Sequence, residues 1–216
     1  LYGLIGQMQT KSTLAYEAAR IEIDVPDRTM GLQDHFASAY GGLNVLRFDS
    51  GGLVSVELVF YRRDCLERLV ENLMMFWIGQ ERDASAVLES QAATTPSKLD
   101  VLTEMCDFVP QMRSIVESGG DLDEIGPMLH QSWMLKKSLT DDVSNRLVDR
   151  YYEVGIKAGA RGGKLCGAGG GGFLLLYVKP DDRVAVSRAL VDTYPLSWAL
   201  DSGGTRITYY EPSHVY

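Results

Sequence analysis

The sequence predicts an α+β fold in which an antiparallel sheet is covered on one face by helices. Three observations carry that expectation. Two β-type runs, residues 45–48 and 53–60, flank a hairpin turn at Asp49-Ser-Gly-Gly52. A run of helical patterns follows from residue 83 to residue 158. The chain then closes with an unbroken apolar strand at 173–178, a helix, and two further strand-like runs. Strands, then helices, then strand–helix–strand is the α+β order, not the alternation that builds a parallel sheet.

The elements follow in chain order. Apolar residues at Leu4, Ile5 and Met8, then at Leu14, Ala18 and Ala19, fit two helical segments, with Thr10-Lys-Ser-Thr13 breaking and recapping them. In residues 21–26 an acid alternates with isoleucines, so Glu22 reads as the solvent face of a strand or as a metal ligand. Residues 31–40 form a short helix stopped by Gly41-Gly42. Residues 69–78 read as a strand, although Glu71 and Asn72 leave a helix open. Helices are predicted at 83–93, at 99–117 with an interruption near Pro110, at 122–139 with Pro127 in its first turns, and at 145–158 behind a Ser144 or Asn145 cap. Pro180 introduces a helix over 181–192, and strands are expected around 196–200 and 205–210.

Composition narrows the function. With 216 residues the chain is long enough for one large or two small cores, and 45% hydrophobic with 23% charged residues is ordinary for a soluble globular protein. A net charge of −8 argues against a nucleic-acid partner. No apolar run reaches membrane-spanning length, so no membrane role is expected. Cys65, Cys106 and Cys166 are odd in number and far apart, which fits reduced thiols in a cytoplasmic protein better than disulfides or a zinc site.

The densest chemical signal is Lys164-Leu-Cys-Gly-Ala-Gly-Gly-Gly-Gly-Phe173, where five of the six residues from Gly167 to Gly172 are glycine. Such a cluster beside a core strand needs positive φ or a close backbone approach, and bare amides there can form an anion nest. A glycine turn that merely lets two elements pack is the bland alternative. Gly167, Gly169 and Gly172 match G-x-G-x-x-G, but a strand follows where the dinucleotide fingerprint needs a helix. The phosphate-binding P-loop also fails, because Leu165 follows Lys164 where Ser or Thr should stand. Local positive charge would come from Lys136-Lys137, Arg161 and Lys164.

Asp34 lies between Gly31 and Gly41-Gly42 in a run apolar enough to be buried. It reads either as a cap of the first helical turn, or as a carboxylate in a glycine-lined pocket that accepts a hydroxyl proton. Glu22, 12 residues upstream, reads as a solvated strand acid or a magnesium ligand at a phosphate site.

Taken together, Glu22, the Gly-Leu-Gln-Asp34-His-Phe-Ala-Ser-Ala-Tyr-Gly-Gly block and the late glycine stretch resemble the GHMP small-molecule kinases. The resemblance is nearest to the D-glycero-D-manno-heptose phosphate kinases and covers nearly the whole chain. It includes the segments beginning at Glu71, Arg82, His130, Ser144 and Gly203. It implies a sugar kinase that moves the γ-phosphoryl group of ATP to a sugar-phosphate hydroxyl with Mg²⁺. Asp34 would be the catalytic base or the electrostatic partner of the acceptor hydroxyl, and Glu22 the magnesium ligand. Gly167, Ala168, Gly169, Gly170 and Gly171 would adjoin the phosphate loop and substrate. From their charge, Lys136, Lys137, Arg161 and Lys164 are candidate contacts for a substrate phosphate. His35 stands where heptose kinases commonly have Gln. Residues 1–60 would be the remainder of a ribosomal-S5-domain-2-like N-terminal domain, and 61–216 a ferredoxin-like C-terminal domain with added helices. The family's ATP-phosphate loop is not found in the sequence, so the expectation is a C-terminal part of a kinase, inactive by itself. The alternative is a non-catalytic ferredoxin-like ligand-binding or regulatory domain.

Overall fold

The structure is a computed structural model and describes residues 2–79 and 84–209. The chain divides into two compact units, one formed by residues up to Leu58 together with those from Leu200 on, the other by Val59–Ala199. Among the described residues, no helix is long and apolar enough to cross a membrane.

The first unit opens with a 3-10 turn, Tyr2–Ile5, and helix α1, Lys11–Ala19. Thr10 caps α1 by accepting the Thr13 N–H at 3.1 Å, which is the recapping the sequence predicted. The alternation after α1 does not make a strand. Arg20–Asp24 continues the helix as one π-type turn, with i→i+5 bonds from Val25 N–H to the Arg20 carbonyl and from Arg28 N–H to that of Ile23. Four or five alternating residues are too few to oppose a helix already running into them. Helix α2, Gln33–Tyr40, ends at Gly41 with φ of 66°. Strands β1, Asn44–Phe48, and β2, Val54–Leu58, pair antiparallel with Phe48 opposite Val54. Asp49 closes their turn, its Oδ1 accepting the Gly51 and Leu53 N–H groups at 2.8 Å. Phe36, fully buried, centres the small core with Ala15 and Ala39, and Tyr16 meets it edge-on at 5.0 Å.

The predicted strand over 205–210 is absent from 205–209, and Tyr210 lies outside the described residues. The backbone here bonds to the end of α2 instead of to a strand: Thr205 N–H reaches the Ala39 carbonyl and Gly42 N–H the Asp201 carbonyl.

In the second unit, α3, Arg63–Glu71, precedes β3, Leu73–Trp77. The sequence reading merged their ends into one strand over 69–78. The true boundary is Asn72, which ends the helix; its Nδ2 donates to the Tyr177 hydroxyl at 2.7 Å. Helix α4 is Ala84–Thr94; the Asp83 expected at its start lies outside the described residues. Helix α5, Leu99–Ser118, is not interrupted at Pro110. Proline removes one i→i−4 bond, but both Cys106, whose carbonyl loses its donor, and Pro110 are exposed, so water can serve that carbonyl. Gly119, left-handed at φ 69°, stops the helix.

Helix α6, Ile125–Lys137, and helix α7, Arg146–Lys157, follow, with Asn145 Oδ1 capping α7 on the N–H groups of Leu147 and Val148. Strands β4, Gly162–Leu165, and β5, Phe173–Tyr177, precede α8, Arg183–Ala189, and β6, Tyr194–Leu196. The last strand is shorter and earlier than the expected 196–200. The sheet order is β4-β5-β3-β6, antiparallel throughout, so β5 is an inner strand as predicted. One face carries the fully buried Leu165, Leu174 and Leu176 with Phe76 at 1%, packed with Trp133, Val148, Tyr152, Val186 and Leu190. On the other face Phe173 is 39% exposed. Burial pushes the Tyr152 hydroxyl well above the ordinary phenol range, so it stays protonated where it shares a 2.7 Å hydrogen bond with His130 Nδ1.

Strand β4 escaped the sequence reading because two of its four residues are glycine, which has little strand preference. Packing explains both. A Cβ at Gly162 would lie 1.9 Å from the Gly126 carbonyl oxygen of α6, and one at Gly163 would lie 2.3 Å from the Leu175 carbonyl oxygen. Gly162→Ala is therefore expected to force α6 off the strand, costing about 1–3 kcal/mol as overpacking does, and to lower the melting temperature by several degrees. An unchanged melting curve would mean that α6 does not sit this close.

Candidate functional site

The glycine stretch is a loop between antiparallel strands β4 and β5, and no helix begins at Gly172. The dinucleotide reading is thereby excluded by structure as well as by pattern. Gly167, Gly169, Gly170 and Gly172 have φ of 79°, 131°, 76° and 101°, a region that side chains rarely tolerate. Gly169 also packs closely, since a Cβ there would lie 2.7 Å from the Val143 carbonyl oxygen.

The loop's carbonyls are held by side chains from three other segments. Lys136 Nζ donates to Gly167 O at 2.6 Å, Gln91 Nε2 to Ala168 O at 2.9 Å, and Asn145 Nδ2 to Gly170 O at 2.7 Å. Gly170 N–H donates to Val143 O at 2.9 Å. Among the described residues, the amides of Gly167, Ala168, Gly169, Gly171 and Gly172 donate to no protein acceptor. A loop with its acceptors satisfied and its donors open is chemically suited to an anion.

The basic candidates have separate fates. Lys136 serves the loop carbonyl, whereas Lys137 Nζ binds Asp149 Oδ1 at 2.5 Å beside the Ser144 hydroxyl. Arg161 is exposed and Lys164, on β4, is half-buried; neither side chain has an ion-pair partner among the described residues.

In the first unit, Glu22 sits on the π-type turn, a feature that often marks functional positions. Its side chain is 50% exposed, and its Oε2 lies 2.9 Å from His35 Nε2. His35 is nearly enclosed, with a side chain 5% exposed. Asp34, next to it on α2, is exposed rather than held in an enclosed pocket. Nor does it cap the helix: Leu32 is the N-cap residue and makes no side-chain capping bond. Asp34 lies in the first turn, where a negative charge suits the helix dipole, and its carboxylate has no hydrogen-bond partner among the described residues.

A magnesium ion takes oxygen ligands and is usually held by one or two carboxylates together with waters and substrate phosphates. Among the described residues, no group of three or more His, Cys, Asp or Glu could hold a metal by itself. Glu22 fits the first pattern, with one carboxylate oxygen on His35 and the other without a protein partner among the described residues.

Sequence reasoning named the loop, Asp34 and Glu22 as candidates, but did not reach the Glu22–His35 pair or the hydrogen bonds from Gln91 and Asn145 to the loop. Asn145 was legible as a cap; its second bond, to a residue 25 positions on, leaves no local pattern. Arg82 and Asp83 of the Arg-Asp-Ala-Ser segment lie outside the described residues.

The double duty of Asn145 gives a test. Asn145→Asp is expected to keep the α7 cap and the melting temperature, while the Gly170 amide exchanges its hydrogen roughly fivefold to tenfold faster, because one hydrogen bond of about 1 kcal/mol to the loop is lost. Asn145→Ala is expected to lower the melting temperature as well. Equal Gly170 exchange in Asn145→Asp and the parent protein would remove Asn145 from the loop's support.

Residues 109–196 match the family described as GHMP kinases C terminal. The D-glycero-alpha-D-manno-heptose 7-phosphate kinase of Campylobacter jejuni is 26% identical over 179 residues, which is 82% of this chain and 52% of that kinase. The chain thus spans about half the length of that relative. In fold, it resembles the D-glycero-D-manno-heptose 1-phosphate kinase of Bacteroides thetaiotaomicron with a TM-score of 0.65 and 21% identity, over 96% of this chain and 59% of that one. The phosphomevalonate kinase of Streptococcus pneumoniae, solved with phosphomevalonate and AMPPNP, matches with a TM-score of 0.71 and 14% identity over 93% and 64% of the two chains. The chain resembles the GHMP kinases, matches their C-terminal family over residues 109–196, and has heptose phosphate kinases among the proteins it is similar to in sequence and in fold.

Proposed function

We propose that the protein is an ATP-dependent sugar kinase of the heptose phosphate type, which phosphorylates a sugar-phosphate hydroxyl. In this reading residues 1–60 belong to a ribosomal-S5-domain-2-like N-terminal domain and 61–216 to a ferredoxin-like C-terminal domain, whose residues from Leu200 on return to the first unit. The observation that carries it is Asp34: an exposed aspartate in a helical first turn that neither caps the helix nor bonds to another described residue. A carboxylate whose one structural contribution is to the helix dipole, in a chain similar to heptose phosphate kinases, is best explained by a task toward substrate.

Phosphoryl transfer asks a protein mainly to position the reactants and neutralise charge. Asp34 orients the acceptor hydroxyl and takes its proton. Glu22 offers one carboxylate oxygen for Mg²⁺, which when bound neutralises charge on the transferring phosphates. The open amides of the Gly167–Gly171 loop receive anionic oxygen, and Lys136 fixes the loop's shape from its carbonyl side. Lys164, without an ion-pair partner among the described residues, remains the basic side chain nearest the loop for a substrate phosphate; Arg161 stands at the opposite end of β4, and Lys137 is engaged by Asp149.

The test is Asp34→Asn in the full-length protein. Asparagine keeps the size of the side chain, so melting and nucleotide affinity should hold while kcat falls by ~10²–10⁴-fold. Glu22→Gln should instead raise the Mg²⁺ concentration needed for half-maximal rate. Steady-state kinetics against Mg²⁺ and a heptose phosphate reads both. Near-parental turnover in Asp34→Asn would end its assignment as the proton acceptor.

A further inference from the structure

The geometry points to His35 as the positioning residue of Glu22, a role that rests on the magnesium assignment proposed above. Glu22 is half-exposed on a single π-type turn, and a glutamate so placed has several rotamers to choose among. His35 has no such freedom. It projects from α2 with its side chain 95% enclosed, given the 5% exposure. The ring's Nδ1 is buried with no hydrogen-bond partner, so its one hydrogen bond runs from Nε2 to Glu22 Oε2 at 2.9 Å. A carboxylate oxygen only accepts, which puts the hydrogen on Nε2. The ring therefore holds one oxygen of Glu22 and leaves the other free to face an ion.

Consecutive residues of α2 thus present one acid and hold another. Asp34 turns to solvent, while His35, about 100° further round the helix, turns inward to Glu22. The arrangement matches the general rule that outer residues orient metal-binding carboxylates, and that losing them weakens metal binding by about 10–100-fold. The bland alternative is a buried histidine whose polar edge is satisfied by whichever acid lies nearest. That alternative concerns stability alone and leaves ion affinity untouched.

The experiment measures Mn²⁺ affinity of the full-length protein, saturated with a non-hydrolysable ATP analogue, by electron paramagnetic resonance, with a melting curve for each variant. His35→Leu removes the donor and fills the space; His35→Ala is a second donor-less variant should the first not fold. Both are expected to weaken Mn²⁺ binding by about 10–100-fold. His35→Gln, whose amide can donate from a similar reach, is expected to stay within a few-fold of the parent protein. Glu22→Gln should lose at least as much as His35→Leu, and combining the two should add little, because they act through one carboxylate. Parental Mn²⁺ affinity in a folded His35→Leu or His35→Ala, beside a weakened Glu22→Gln, would overturn the role of His35 alone. Parental affinity in Glu22→Gln would overturn the magnesium assignment itself, and the role of His35 with it.

Discussion

The second unit depends on a contact in which two backbones meet with almost no side chain between them. Gly126 in the first turn of α6 lies against Gly162 of β4: a Cβ on Gly162 would strike the Gly126 carbonyl, and one on Gly126 would crowd Arg161, just before the strand, and the Tyr177 ring of β5. The same helix ends in Lys136, which reaches the Gly167 carbonyl at the far end of β4. One close contact thus fixes the start of α6, and the length of the helix carries that alignment to the loop. Trp133, 1% exposed one turn before Lys136, packs the stretch between into the core.

The loop is consequently built from outside. Its irregular backbone supplies little self-bonding, so α4, α6 and the residue before α7 hold its carbonyls. Each support comes from an element anchored elsewhere: Val87 of α4, Trp133 of α6 and Val148 of α7 are all buried. The amides left open are therefore held in place by a rigid frame, which is what anion recognition requires of a loop.

How much of this was legible in the sequence follows from how local each cause is. The caps at Thr10 and Asn145, the stop at Gly119 and the hairpin at Asp49–Gly52 depend on a few neighbouring residues, and all were readable. Phe173–Tyr177 was readable as an inner strand because both its faces are largely apolar. Strand β4 was not, since Gly162 answers to α6, more than thirty residues away, and Gly163 to the backbone of β5. Nor was the α3–β3 boundary, because Leu69 and Val70 are as apolar as the strand that follows, and only Asn72 separates them. At the site, residue types announced Asp34, Glu22 and the glycines, whereas the His35–Glu22 bond needed the fold to bring a turn and a helix together.

The π-type turn at Arg20–Asp24 has a consequence for how this region is compared and engineered. A helix drawn at regular pitch from Lys11 through Asp24 would rotate everything beyond the extra residue by about 100°. The residues after Asp24 would then be assigned to the wrong face, and their alignment with other helices would slip by one position. Shortening the turn by a residue would give a more regular helix and a more conventional hydrogen-bond ladder. It would also change the spacing between Glu22 and His35, so the irregularity belongs to the local geometry that brings carboxylate and imidazole together.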